Sequence, residues 1–167
     1  MTPMHLPLRP GDRPRATASL PHSQIDQQPA GTGDLDFVLA EAATWPHVTV
    51  QPSRIAVEGS RALVLTDDTD TGPAEAFMIG REFCHGHAGG DSSLHAALPP
   101  LLARAAHDAG WGEPHYLVHA GQAPPSITML YAPRDETERD LILRLVRASY
   151  EFALGVADRA DAGAGLA

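Results

Sequence analysis

The chain has 167 residues and carries a formal net charge of -9 with a pI near 5.3, room for one domain plus tails. Its twelve basic residues are all arginine and none cluster, which excludes lysine Schiff-base or pyridoxal chemistry, a phosphate-loop lysine, and an electrostatic surface for nucleic acid or anionic membrane. The single cysteine, Cys84, excludes an internal disulfide, and with no signal-like or membrane-spanning apolar run the expectation is a soluble cytoplasmic protein.

Residues 1–33 are rich in Pro, Gly, Gln, Ser and Thr without helix or strand period, and are read as a disordered leader. Residues 34–154 form the domain, and 155–167, small and glycine-punctuated, form a flexible tail. The domain opens with a helix on which Leu35, Val38, Leu39 and Ala42 recur at helical spacing behind an Asp34 cap. Three β-branched runs follow, HVTVQ, RIAVE and RALVL, punctuated by Pro52 and by Glu58-Gly59-Ser60, which predicts three strands with the last two as a hairpin.

After the acidic loop TDDTDTG, which lacks the full pattern of a calcium loop, AEAFMIGREFCHGH predicts a long strand or two strands kinked at Gly80. SSLHAAL is its return partner. PPLLARAAHDAG has the polarity of a helix, with proline in its first turn and glycine at its end. PHYLVHA and SITMLYA predict two more strands. A final helix is capped by Asp135 with Glu138 as capping-box partner, and buries Leu141, Ile142, Leu145, Val146 and Phe152. The fold class is α+β, a mainly antiparallel sheet flanked by helices in a single domain.

The chemistry concentrates between Arg81 and His95, REFCHGHAGGDSSLH, which holds the cysteine and three of the nine histidines. Strand parity puts Arg81, Phe83, His85 and His87 on one face and Glu82, Cys84 and Gly86 on the other. A turn centred near Gly90 pairs His85 with His95 and His87 with Ser93, so three imidazoles converge within roughly 5 to 8 Å at the Cβ level. Two chemistries suit such a cluster. His85, His87 and His95 could ligate Zn or Fe with an open position, or crowded imidazoles could depress one another's pKa and leave a neutral general base. His115, at the start of a strand that also carries His119, is a fourth candidate. His5, His22 and His107 are read as exposed, and His47 as structural. Arg81 could anchor a carboxylate or enolate oxygen, and Tyr131 could gate or donate a proton.

The segment from Arg81 to Phe152 resembles the luciferase-domain family in four separated blocks: Arg81-Glu82 with His85-x-His87, then Leu94-His95, then Gly110-Trp111-Gly112 with His115, and Leu130-Tyr131-Ala132-Pro133-Arg134. The resemblance implies an oxygen-using reaction on an enolisable or phenolic, pyrone-like small molecule, with no organic cofactor. It carries His85, His87, His95 and His115 over as base, orienting groups or metal ligands. Arg81 and Glu82 match without an assigned role, and Trp111 and Tyr131 are expected to contact substrate. The expected partners are a small-molecule substrate and O2, with neither nucleic acid nor membrane. The competing reading is a non-catalytic small-molecule or metal-binding module with a structural histidine cluster.

Overall fold

A computed structural model describes residues 4–156. Six strands form one antiparallel sheet in the order β1-β2-β3-β4-β6-β5: β1 (Val48–Pro52), β2 (Arg61–Leu65), β3 (Glu82–Gly86), β4 (Leu94–Ala97), β5 (Gly112–Pro114) and β6 (Ile127–Leu130). With helices α1 (Gly33–Ala42), α2 (Pro100–Asp108), α3 (Tyr116–His119) and α4 (Glu136–Ala153), this is the expected α+β domain.

Both amphipathic helices bury the stripes read from the sequence. Leu35, Val38, Leu39 and Ala42 of α1 and Leu141, Ile142, Leu145, Val146 and Phe152 of α4 join Leu63, Phe83, Cys84 and Leu94 in one core. The Asp135 side chain accepts from the Glu138 N–H at 2.9 Å, as a cap should. The Glu138 carboxylate reaches back one residue further than a capping box requires, to the Arg134 N–H at 3.0 Å. At α1 the cap is Thr32, and Asp34 lies in the first turn, where its charge favours the helix N-terminus. Gly86 lets α1 lie close on the sheet: a Cβ there would sit 2.9 Å from methyls of both Leu35 and Leu39.

Four sequence expectations are corrected. RIAVE is not a strand. Pro52 ends β1, the Ser53 hydroxyl accepts from the Ala56 N–H at 3.2 Å, and Gly59 turns at φ +88°, so β1 and β2 are the hairpin and Ile55 to Val57 form a loop. PHYLVHA is not a strand either. It ends β5 at Pro114 and turns into α3, with His115 as the cap, its Nδ1 accepting from the Leu117 N–H at 3.0 Å.

Strand parity breaks at Phe83. The β2–β3 register pairs Leu63 with Cys84 but Val64 with Glu82, so Phe83 is the extra residue of a β-bulge. Phe83 therefore joins the core beneath α4, 6.1 Å from the Tyr150 ring, and Glu82 turns to the face that carries His85.

The fourth correction is the leader. Residues 4–32 lie against the domain and are tied to it by hydrogen bonds. Pro7 accepts from the Trp111 indole at 2.7 Å, the Arg9 N–H donates to the Ala109 carbonyl at 2.8 Å, and Arg13 donates to the carbonyls of Gly112 and His107. Composition measures apolar surface, whereas this segment is held mainly by polar stitching, so composition reads it as disordered. Of the expected flexible tail, residues 157–167 lie outside those described.

Candidate functional site

Helices α1 and α4 cover one face of the sheet, and the histidines occupy the other. His85 on β3 stands opposite His95 on β4 in the register expected, and the His87 N–H donates to the Ser93 carbonyl at 3.1 Å. His85 Nε2 lies 3.0 Å and His87 Nε2 lies 3.1 Å from the same atom, His95 Nδ1. His115 closes on the group from beyond β5, its ring centroid 4.3 Å from that of His95. These four side chains, with Pro21 and His22 of the leader and the 55–57 loop, line a cavity of about 400 Å³.

His85 and His87 are each tied on the far side to a carboxylate. His85 Nδ1 lies 2.7 Å from Glu82 Oε1, which also accepts from the Ser53 hydroxyl at 3.0 Å. His87 Nδ1 lies 3.0 Å from Asp91 Oδ2 and 2.9 Å from the Ser93 hydroxyl. A carboxylate only accepts, so both Nδ1 atoms carry a proton, and in the neutral ring the Nε2 lone pair faces His95.

Burial holds the His85 imidazole below its ordinary pKa in spite of the Glu82 hydrogen bond, and holds His95 well below, with its four neighbouring imidazoles adding to the effect. His115 is brought down to about 4 by burial and by His22, His85 and His87. Burial pushes the Asp91 carboxyl up, but hydrogen bonds from His87 and Ser93 outweigh it and bring the group to about 2. Burial thus holds His85, His95 and His115 toward their neutral forms with ionised Asp91 at the rim, and His95 Nε2 is buried with no hydrogen-bond partner among the described residues.

Sequence reasoning missed three members. His22, expected to be exposed, is buried and stacks on His95 at 5.4 Å with 15° between the planes. Its Nδ1 accepts from the Tyr116 N–H at 3.3 Å and its Nε2 lies 2.9 Å from Glu113. Glu113 in turn accepts from the Tyr131 hydroxyl at 2.8 Å. Asp91 also fastens the leader, accepting from the Gln24 N–H at 3.2 Å and from the Gln28 amide at 2.9 Å. The one local signal for Asp91 was its place in the turn, four residues after His87. For His22 and Glu113 there was none, because their partners are about 90 residues distant in sequence.

Other candidates fall outside the cluster. Arg81 does not share its face: the guanidinium donates to the carbonyls of Leu65, Thr66 and Thr69 and ties down the acidic loop, since the bulge at Phe83 reverses the parity on which its placement rested. Trp111 is a core residue hydrogen-bonded to the leader, and so does not line the cavity. Tyr131 reaches the histidines only through Glu113 and His22, and burial with the adjacent Glu113 pushes its hydroxyl up to about 12. His107 is half-buried against the Thr128 hydroxyl at 3.0 Å and is neither exposed nor part of the site. Cys84 is buried in the core with its thiol pushed up by burial, which removes it as a nucleophile.

Comparison with known proteins bears on this arrangement directly. The family model described as "Luciferase domain" matches residues 80–149, the span that holds β3, β4 and the four expected histidines. Residues 80–149 are thus similar to a luciferase domain. The chain is 31% identical over 165 residues to the luciferase of Armillaria mellea, 30% to that of Armillaria gallica and 28% over 161 residues to that of Neonothopanus nambi. In each case 88% of this chain is covered, so the likeness runs well into the N-terminal half, beyond the four blocks that first suggested it. The chain spans 60% of the length of these curated relatives. No solved structure gives a significant match. Among the described residues no helix is long and apolar enough to cross a membrane.

Proposed function

We propose that this luciferase-like domain is a small-molecule oxygenase that takes an enolisable or phenolic, pyrone-like substrate into the histidine cavity and combines it with O2. The observation that carries the reading is the convergence of the buried His85 and His87 Nε2 atoms on His95 Nδ1 beside a cavity of about 400 Å³, a volume suited to a ligand of one or two rings. A buried neutral imidazole is a competent proton acceptor at neutral pH.

In the reaction proposed, the substrate C–H or O–H bond breaks and its proton passes into the cluster. The enolate or phenolate electron pair is then spent on a new C–O bond to O2, and return of the proton gives a hydroperoxide. One substrate and one O2 are consumed, carbon is oxidised and oxygen reduced, and no organic cofactor is required. Glu82 and Asp91 hold His85 and His87 in the tautomer that leaves Nε2 free for the proton. The fungal luciferases among the relatives support an oxygen-using reaction of this class.

Oxygen uptake by the purified chain, measured with an oxygen electrode against a panel of hydroxylated 2-pyrones, enolisable ketones and phenols, tests the proposal. The expected result is uptake of one O2 per substrate with at least one member of the panel. Binding of panel members without uptake would overturn the oxygenase reading in favour of a binding module.

A further inference from the structure

We infer that His85 Nε2, His87 Nε2 and His95 Nδ1 form a three-nitrogen site for one divalent transition-metal ion, with Glu82 and Asp91 as the groups that orient two of its ligands. The argument is one of lone pairs. Glu82 and Asp91 fix the protons of His85 and His87 on Nδ1, so two Nε2 lone pairs are aimed at His95 Nδ1. His95 has one proton at most to place there, and it cannot fully satisfy both. A cation satisfies all three nitrogens at once, and His95 then carries its proton on Nε2, the buried atom with no hydrogen-bond partner among the described residues.

The separations agree. Two nitrogens each about 2.1 Å from a metal are about 3.0 Å apart at right angles and about 3.4 Å apart at the tetrahedral angle, and the two separations here are 3.0 and 3.1 Å. One ligand atom from each of the three histidines lies within 4.8 Å of the others, and a three-nitrogen set would leave a further position open. A carboxylate on the far nitrogen of a ligating imidazole is the usual outer support of a histidine metal site, and both strand histidines have one, buried. Imidazole donors select ions of the Zn, Fe, Co, Ni and Cu group over Mg or Ca.

His22, His95 and His115 also lie close enough to suggest a second group. It does not compete, because His22 already spends Nδ1 on the Tyr116 N–H and Nε2 on Glu113. The inference deepens the oxygenase proposal and rests on the same cavity: with an ion bound, its charge would acidify an enol or phenol oxygen beside it, and the released proton would pass to water instead of to the three imidazole lone pairs.

The test is metal binding, read without substrate. The full chain, stripped with a chelator, is titrated with Co²⁺ and followed by its visible ligand-field absorption, and with Zn²⁺ by calorimetry. One ion per chain is expected, with binding lost in His85→Ala and in His95→Ala, retained in His115→Ala, and weakened about 10- to 100-fold in Glu82→Gln. Folding of each variant is checked by circular dichroism, and the Glu82→Gln effect together with the wild-type spectrum decides the matter if an alanine variant does not fold. No Co²⁺ band and no Zn²⁺ uptake by the wild-type chain would overturn the inference. So would loss of the ion in His115→Ala with retention in His85→Ala, which would move the site to the other group. Binding without oxygen uptake would sink the oxygenase reading alone, and undiminished uptake after chelation would sink the metal alone.

Discussion

Gln24→Ala is the perturbation that separates a stitched leader from a loose one. Gln24 is buried, its side-chain oxygen accepts from the Ala132 N–H at 2.8 Å, and its amide donates to the Asp26 carbonyl at 2.8 Å. Ala132 is fully buried, so truncation leaves its N–H without a partner. An orphaned buried donor costs about 1–3 kcal/mol. A chain of this size loses about 2–4 °C of Tm per kcal/mol, so a cost near the middle of that range lowers Tm by about 4–8 °C. Because residues 20–23 roof the histidine cavity, the same change loosens His22 over His95. The assay pairs a thermal melt followed by circular dichroism with limited trypsin digestion at the Arg15-Ala16 bond, which lies between the Pro7 and Gln24 anchors. A lower Tm and faster cleavage at Arg15 are expected. An unchanged Tm, with the wild-type chain cut at Arg15 as fast as the variant, would refute the packed leader and favour the disorder that composition suggests.

Two further outcomes follow from the burial of the site. His85, His95, His107 and His115 all have folded pKa values below the unfolded value of about 6.5. Between those values the unfolded chain binds more protons, so stability is full above about pH 6.5 and declines toward pH 4. Asp91, lowered to about 2, adds stability that persists throughout that window and is lost only in stronger acid. Melts at pH 7.5, 6 and 5 should show a progressive fall in Tm, and a flat profile would contradict the neutral buried cluster. Gly86→Ala forces a methyl to within 2.9 Å of Leu35 and Leu39; these are flexible side-chain ends, so the cost should be near the lower end of about 1–3 kcal/mol. A urea midpoint equal to wild type would show that α1 does not press on the back of β3.

The sequence made the hairpin at the centre of the site legible to the residue. Gly89 and Gly90, both at positive φ, mark the turn, and the alternation around it sets His85 opposite His95. The amphipathic helices were equally plain, since Leu35, Val38, Leu39 and the α4 stripe depend only on local period. What escaped was everything decided at long range. The bulge at Phe83 is a property of the β2–β3 pair, invisible in β3 alone, and it moved both Glu82 and Arg81. The leader is organised by partners about 60 to 110 positions away, such as Asp91 for Gln28 and Ala132 for Gln24, so no local pattern announced that His22 belongs with His95. His115 was placed near the cluster by the resemblance but mistaken for a strand residue, because Tyr116, Leu117 and Val118 suit a strand as well as a single helical turn.

The central claim is that the imidazoles around His95 perform oxygen chemistry and that the neighbouring Arg81 does not. Oxygen uptake with the most active pyrone or phenol of the panel, compared between His95→Ala and Arg81→Ala after both are shown to be folded, tests it most directly. The account predicts uptake abolished in His95→Ala and retained in Arg81→Ala, whose guanidinium only ties down the 65–69 loop. Uptake that survives in His95→Ala, or that vanishes in a folded Arg81→Ala, would contradict it.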